Sequence, residues 1–182
     1  MKKAFRLSRE ELSNYSRIAW LLLFGLAVLL VDFLTKAYVY YLFPVAGFSA
    51  HFPYGGIGVF QNFLGIDFAI SLAVNRGAAW GVMANFQNLL LAIRLLVISG
   101  MLIYLIFLNR NRRVSFPLTL IIAGAIGNIV DYFLYGFVVD FFHFNFWGYH
   151  FPVFNVADSA ITIGVIWLFI VGFFGGSQKA SC

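Results

Sequence analysis

The sequence has few charged residues and almost no cysteine. Only 10% of its 182 residues are Asp, Glu, Lys or Arg, whereas soluble globular chains carry about 25%. Cys182 is the single cysteine, so the chain can build neither an internal disulfide framework nor a cysteine-ligated metal site. Hydrophobic residues make up 62% of the chain, and the mean hydropathy is +0.90. This composition leaves no room for a sizeable soluble domain and predicts one integral membrane domain over residues 1–182.

Four apolar segments are long enough to cross a bilayer as helices, which takes about 20 residues each. They are residues 18–43, 89–108, 116–137 and 156–174. Basic residues cluster before the first segment, between the second and third, and after the fourth. Because such residues favour the cytoplasmic side, we expect both termini to be cytoplasmic and residues 44–88 and 138–155 to face outward. This arrangement accounts for the net charge of +5, and we predict no nucleic-acid partner.

The first outward connection, residues 44–88, contains a segment with the periodicity of a strand. In IDFAISLAVN, residues 66–75, apolar side chains alternate with smaller or polar ones, which is typical of a half-buried strand. A second short strand around residues 137–142 could join it. The predicted fold is therefore an all-α membrane protein with four transmembrane helices and a small extracytoplasmic β-element.

Carboxylates and amides interrupt the apolar segments at particular depths. Asp140 follows the outer end of the third segment, and Asp158 lies in the first turn of the fourth, so both are expected at the outer membrane surface. Asn128, Asp131 and Tyr132 are spaced to share one helical face. Ionisable residues inside a spanning helix usually face the protein interior and are candidates for function.

Asp32 and Lys36 are spaced i, i+4 on the first segment, with the acid first, which suits an ion pair on a helix. Asp131 has two candidate partners, Lys36 and Arg94. We interpret Asp32 and Lys36 as a structural pair or as residues that face the substrate.

Two carboxylates held close together tend to share one proton, because both cannot ionise easily. One can then act as a base toward water while the protonated one polarises a carbonyl, which is aspartic protease chemistry without metal or cofactor. Spacing alone leaves other interpretations open. Asp140 and Asp158 could be solvated acids that cap helix ends, or Asp32, Asp131 and Asp158 could serve a proton- or cation-coupled carrier. No histidine spacing matches a metalloprotease motif, and we predict no metal site.

Five short segments, taken in order, resemble the lipoprotein signal peptidase family (signal peptidase II). They are DFLTK (32–36), NRGAAWG (75–81), GNIVDY (127–132), VVDF (138–141) and FNVAD (154–158). The resemblance implies an aspartic endopeptidase of the bacterial inner membrane, active at its extracytoplasmic face. Such an enzyme removes the signal peptide from diacylglyceryl-modified prolipoproteins by cleaving before the modified cysteine. The family is also the target of the cyclic peptide globomycin.

The resemblance also assigns roles to particular positions. Asp140 and Asp158 correspond to the catalytic pair. The expected supporting or substrate-binding residues are Asn75, Gly77, Asn128, Asp131, Tyr132 and Asn155. No cofactor is implied, membrane lipid is the expected surrounding, and a monomer is the expected state. A non-catalytic lipid-binding scaffold with the same fold remains an alternative.

One position departs from the family pattern. The family usually has arginine after the aspartate of the third motif, where this chain has Tyr132. A tyrosine offers one hydroxyl, whereas arginine offers a fixed charge and a planar set of donors. Arg76 and Arg94 are the candidates to supply a guanidinium group in its place.

Overall fold

The computed structural model describes residues 9–43, 56–76, 87–109 and 111–175. Within these residues the chain forms four long helices and one four-stranded antiparallel sheet. The helices are α1 (Arg9–Leu42), α2 (Gln87–Ile103, continued by a π-helical turn Tyr104–Leu108), α3 (Arg112–Tyr135) and α4 (Val156–Gly175). The strands are β1 (Ile57–Phe63), β2 (Ile66–Asn75), β3 (Val138–Phe146) and β4 (Tyr149–His150).

All four helices contain stretches long and apolar enough to cross a membrane. These stretches are Asn14–Leu42, Gln87–Leu108, Arg112–Tyr135 and Val156–Phe174. The prediction of four spanning helices with a small sheet is therefore confirmed, while the cytoplasmic placement of the termini stays a prediction. Helix α3 is the central one, because 67% of its apolar stretch is buried compared with 6–17% in the other three.

Each end of α3 is set by a local signal. At its start, the Asn111 side chain accepts a hydrogen bond from the backbone N–H of Arg113 at 3.0 Å, as expected for an N-cap residue. At its end, Gly136 adopts a left-handed conformation with φ 78°, which glycine reaches without steric cost. The helix therefore ends at Tyr135, and the chain turns directly into β3.

Helix α4 lies unusually close to α3. A Cβ atom at Gly124 would collide with the backbone oxygen of Ala157, so only glycine allows this approach. Since Ala157 is in the first turn of α4, the contact sets the start of α4 against the second half of α3. This brings Asp158 to the level of Asn128.

The sheet has the order β1-β2-β3-β4 and is joined to the bundle through β2 and β3. Val39 of α1, Leu72 of β2 and Val139 and Phe141 of β3 form a buried apolar cluster. The strand expected at residues 66–75 is β2, and the one expected at 137–142 lies within the longer β3. The sequence analysis did not predict β1, whose seven residues are all exposed.

Candidate active site

The candidate site residues meet where the sheet joins the helix bundle. Asp140 lies on β3, and Asp158 lies in the first turn of α4. Asn155 directly precedes α4, Asn128 is on α3, and Asn75 ends β2. Four segments that are distant in the sequence therefore bring two carboxylates and three amides together.

The Asn155 side chain contacts both aspartates. Its Nδ2 donates to Asp140 Oδ1 at 2.7 Å, and its Oδ1 accepts from the backbone N–H of Asp158 at 2.8 Å. In return, Asp158 Oδ2 accepts from the backbone N–H of Asn155 at 3.3 Å. This reciprocal pair has the geometry of a capping box. The contacts that begin α4 therefore also hold Asp158 next to Asp140.

Asp140 is almost fully buried, with 2% of its surface exposed. Its Oδ1 accepts from Asn155, and its Oδ2 accepts from Asn75 Nδ2 at 2.9 Å. Burial, together with the negative charge of Asp158, raises the pKa of Asp140 to about 8, against the opposing effect of the two amide hydrogen bonds. At neutral pH Asp140 therefore holds a proton, as the acid of an acid–base pair must.

Asn128 links Asp158 to Lys36. The Asn128 Nδ2 donates to Asp158 Oδ1 at 2.8 Å, and its Oδ1 accepts from Lys36 Nζ at 2.9 Å. Because a lysine ammonium group can only donate, the amide oxygen must face Lys36 and the NH₂ group must face Asp158. Lys36 therefore fixes the orientation of an amide that holds one of the two aspartates.

Lys36 lies between two buried carboxylates. Its Nζ is 2.8 Å from Asp32 Oδ2 and 3.0 Å from Asp131 Oδ2, and it also donates to Asn128. The three acceptors match the three donors of the ammonium group. All three charged side chains are at most 2% exposed. Of the two partners considered for Asp131, the structure therefore has Lys36 rather than Arg94.

The two carboxylates of this ion cluster also hold the backbone next to the site aspartates. Asp32 Oδ1 accepts from the backbone N–H of Ala157 at 2.7 Å, and Asp131 Oδ2 accepts from that of Val139 at 3.0 Å. Both buried carboxylates therefore hold backbone that directly precedes the site aspartates.

Gly127 is a site residue that the sequence analysis quoted in a motif but did not select. A Cβ atom there would lie 2.5 Å from Asp32 Oδ2. The absence of a side chain thus makes room for the carboxylate that holds Ala157. The signal available in the sequence was its position directly before Asn128.

Another predicted site residue, Tyr132, makes its hydrogen bond outside this network. The Tyr132 hydroxyl donates to Asn88 Oδ1 of α2 at 3.1 Å, and Tyr132 lines an adjoining cavity with Asn75, Arg76 and Arg94. Both arginines named as substitutes for a missing guanidinium group therefore lie near Tyr132. Gly77 lies outside the described residues.

The two histidines of the sheet lie together. The rings of His143 and His150 are 5.6 Å apart, and burial, with a smaller effect of His150, lowers the pKa of His143. In the part of the chain that the structure describes, no group of three or more His, Cys, Asp or Glu side chains could hold a metal ion.

A multi-pass membrane protein with two carboxyl groups held together at one end of its helix bundle, one of them buried and protonated, is the class that this fold and site define. Comparison with known proteins identifies the family. The sequence model of the family described as "Signal peptidase (SPase) II" matches residues 24–174. The chain therefore belongs to the signal peptidase II family, which is a family of aspartic peptidases.

Individual relatives and solved structures agree with this assignment. The lipoprotein signal peptidase of Chlamydia pneumoniae is 40% identical over 114 residues, which cover 62% of this chain and 68% of that protein. The lipoprotein signal peptidase of Geobacillus thermodenitrificans strain NG80-2 is 46% identical over 101 residues, covering 55% of this chain and 63% of that protein. A solved structure described as a bacterial membrane enzyme has a TM-score of 0.73 at 28% identity, covering 91% of this chain and 94% of that one.

Proposed function

We propose that this protein removes signal peptides from diacylglyceryl-modified prolipoproteins by attack of water activated by Asp140 and Asp158. Membership of the signal peptidase II family makes it a membrane peptidase that processes prolipoproteins. Assigning the chemistry to these two aspartates is our own step. The observation that carries it is the Asn155 side chain, which donates to the buried, protonated Asp140 carboxyl group and accepts from the backbone N–H of Asp158.

The protonation of the pair suggests separate roles for its members. Asp158 carries the charge that helps to raise the pKa of Asp140, so Asp158 takes a proton from the attacking water. Asp140 donates its proton to the oxygen of the scissile carbonyl, and a tetrahedral diol forms. As the C–N bond breaks, Asp158 passes its proton to the leaving amine of the cysteine, and Asp140 recovers a proton from the diol. Metal and cofactor have no part in these steps.

The amides around the pair hold it in position. Asn75 and Asn155 hold the two oxygens of Asp140, and Asn128 holds Asp158. An acid or base must be placed within hydrogen-bond distance of the group with which it exchanges a proton. We infer that these amides keep both carboxyl groups aimed at one point, where the scissile peptide bond lies.

The remaining features follow from membrane placement and family likeness. The basic residues favour cytoplasmic termini, so the sheet and the aspartates face the extracytoplasmic side of the bacterial inner membrane. The substrate's signal helix would enter from the bilayer, with its acyl chains against the exposed apolar flanks of the bundle. We expect a monomer that is inhibited by globomycin.

The test is cleavage of a diacylglyceryl-modified prolipoprotein by the detergent-purified protein. Asp140→Asn and Asp158→Asn should each lower kcat by about 10²–10⁴-fold, the usual contribution of a general acid or base, while remaining folded. Asp67→Asn is the matched control. Asp67 is another sheet acid, which accepts hydrogen bonds from Asn62 and Asn145 rather than from the site amides. It should retain wild-type activity.

Two outcomes would contradict the proposal. If a folded Asp140→Asn or Asp158→Asn variant cleaved the substrate at the wild-type rate, the pair would not be catalytic. Proton or cation flux in liposomes, without any proteolysis, would identify a carrier instead. The ion cluster argues against a carrier, because Asp32 and Asp131 are both already engaged in ion pairs with Lys36.

A further inference from the structure

A small open cavity lies beside the active site, between the end of β2, α2 and α3. Two arginines line it: Arg76 directly follows β2, and Arg94 is on α2. Gln87 and Tyr132 add polar groups, and Leu90 and Leu91 add apolar surface. The described lining includes no acidic residue, so the cavity has a strong positive charge.

The charges of these two arginines are not compensated by the described part of the protein. Neither guanidinium group forms an ion pair or hydrogen bond with a described residue, since the ion pairs found there belong to Lys36. Arginine stays charged under all ordinary conditions. Arg94 lies seven positions after Gln87, about 10 Å along a membrane-spanning helix. Placing a guanidinium group at that depth without a partner costs free energy. An anion bound in the cavity would lower this cost.

The shape and surroundings of the cavity indicate which anion fits. Guanidinium groups bind phosphate oxygens through paired N–H donors. On α2, Leu90, Ile93 and Val97 are spaced i, i+3, i+7 and form one apolar stripe that runs past the level of Arg94. Ile93 and Val97 on this stripe are about half exposed. A phosphate with attached acyl chains satisfies both features. We propose that this cavity binds the headgroup phosphate of a net-anionic glycerophospholipid, whose chains lie along this stripe of α2.

Lipid binding at this place would act on the neighbouring active site. Arg76 directly follows Asn75, whose amide donates to Asp140 at 2.9 Å. A phosphate held by both arginines ties the end of β2 to α2 and keeps Asn75 in contact with Asp140. This consequence for activity rests on the proposed peptidase function, whereas the binding itself does not.

Binding is measured without any peptidase substrate, on protein stripped of lipid in a neutral detergent. Native mass spectrometry or calorimetry compares phosphatidylglycerol, phosphatidylcholine and inorganic phosphate. We expect phosphatidylglycerol to bind at least about tenfold more tightly than phosphatidylcholine, because two uncompensated cations favour a net negative lipid. Inorganic phosphate at the same concentration should not displace it. Equal binding of the two lipids, or equal competition by inorganic phosphate, would overturn the assignment.

Variants locate the binding site. Arg76→Gln and Arg94→Gln should each weaken phosphatidylglycerol binding by about tenfold, and Arg94→Lys should lose less because it keeps the charge. Arg113→Gln is the matched control, since Arg113 is an exposed arginine at the far end of α3; its effect should be less than about twofold. If Arg94→Gln fails to fold, the exposed Arg76 still provides the test.

Unchanged lipid binding in the folded Arg76→Gln and Arg94→Gln variants would refute the proposal. The same variants could instead raise KM for the prolipoprotein equally with and without phosphatidylglycerol, while lipid binding stays normal. That result would show that the two arginines bind the prolipoprotein substrate, and it would overturn the proposal that this cavity binds a lipid. Loss of peptidase activity in the Asp140→Asn variant has no bearing on this assay, so the two proposals fail separately.

Discussion

Asp32 accepts a hydrogen bond from the backbone N–H of Ala157 at 2.7 Å, and Ala157 is the residue directly before Asp158. Asp131 has the same relationship to Val139 at 3.0 Å, directly before Asp140. Lys36 pairs with both carboxylates. One buried ion cluster therefore holds, by equivalent contacts, the two backbone segments that carry the candidate catalytic pair.

Removing the cation of this cluster should destabilise the protein strongly. Lys36→Met leaves Asp32 and Asp131 buried without a counter-charge, and breaking a buried pair in this way costs about 3–5 kcal/mol. The free energy of unfolding in detergent measures the effect. Arg113→Met, at an exposed position, should change that free energy by less than about 0.5 kcal/mol.

A compensated variant tests whether charge is the cause. In the Lys36→Met protein, adding Asp32→Asn and Asp131→Asn removes the unpaired charges and should recover part of the lost stability. If Lys36→Met alone unfolds like the wild type, the cluster does not support the fold in the way the contacts suggest.

Substitutions at Asn155 should separate its structural contact from its contact with Asp140. Asn155→Ser keeps a side-chain oxygen for the N–H of Asp158 and should be about 1 kcal/mol more stable than Asn155→Ala, the usual difference at an N-cap. Neither variant has an amide to donate to Asp140 Oδ1, so both should lose activity to a similar extent. Unfolding and kcat are measured on the same preparations. Full activity in the serine variant would show that the Asp140 contact is dispensable.

The pH dependence of activity should have an alkaline limit set by Asp140. The pKa of Asp140 is raised to about 8, so its proton is present below that pH and lost above it. The rate constant kcat/KM should therefore fall as the pH rises through about 8. The hydrogen bond from Asn75 lowers this pKa, so Asn75→Ala should move the alkaline limit to higher pH. A shift to lower pH would contradict the assignment.

The raised pKa of Asp140 also predicts how the stability of the folded protein depends on pH. Because the folded pKa of Asp140 lies above its usual value of 3.8, the folded protein binds more protons than the unfolded one between those two values. The contribution of Asp140 to the free energy of unfolding is therefore fully present below pH 3.8 and is lost as the pH rises to about 8. Asp140→Asn should make the unfolding temperature less dependent on pH in this window.

Two glycine substitutions should have opposite effects. In Gly127→Ala the new methyl group meets Asp32 Oδ2 at 2.5 Å, and such overpacking costs about 1–3 kcal/mol. In Gly100→Ala, on α2, no atom lies within 4 Å of the added carbon, so alanine should stabilise the helix by about 0.5–1 kcal/mol. Thermal unfolding of the two purified variants makes the comparison. Equal behaviour would mean that Asp32 can move aside without loss.

The spacing of residues predicted some features of the site but not its connections. The i, i+4 spacing of Asp32 and Lys36 was enough to predict their ion pair, because helix geometry brings such residues together. The position of Tyr132 beside Asp131 in the chain suggested a shared role, yet Tyr132 points its hydroxyl to Asn88 on another helix. Strand β1 was not predicted because its residues are exposed throughout, which leaves no buried alternation to detect.

The sequence by itself determined that this is a membrane protein with four helices, because each apolar run carries its length and periodicity locally. The order of the five motifs was also sufficient to suggest the family. Only the tertiary structure decided that Asn155 contacts both aspartates, that Lys36 orients Asn128, and that Arg76 and Arg94 share a cavity. These relationships join segments up to 92 positions apart, and their geometry depends on how closely the helices pack, which no local pattern encodes.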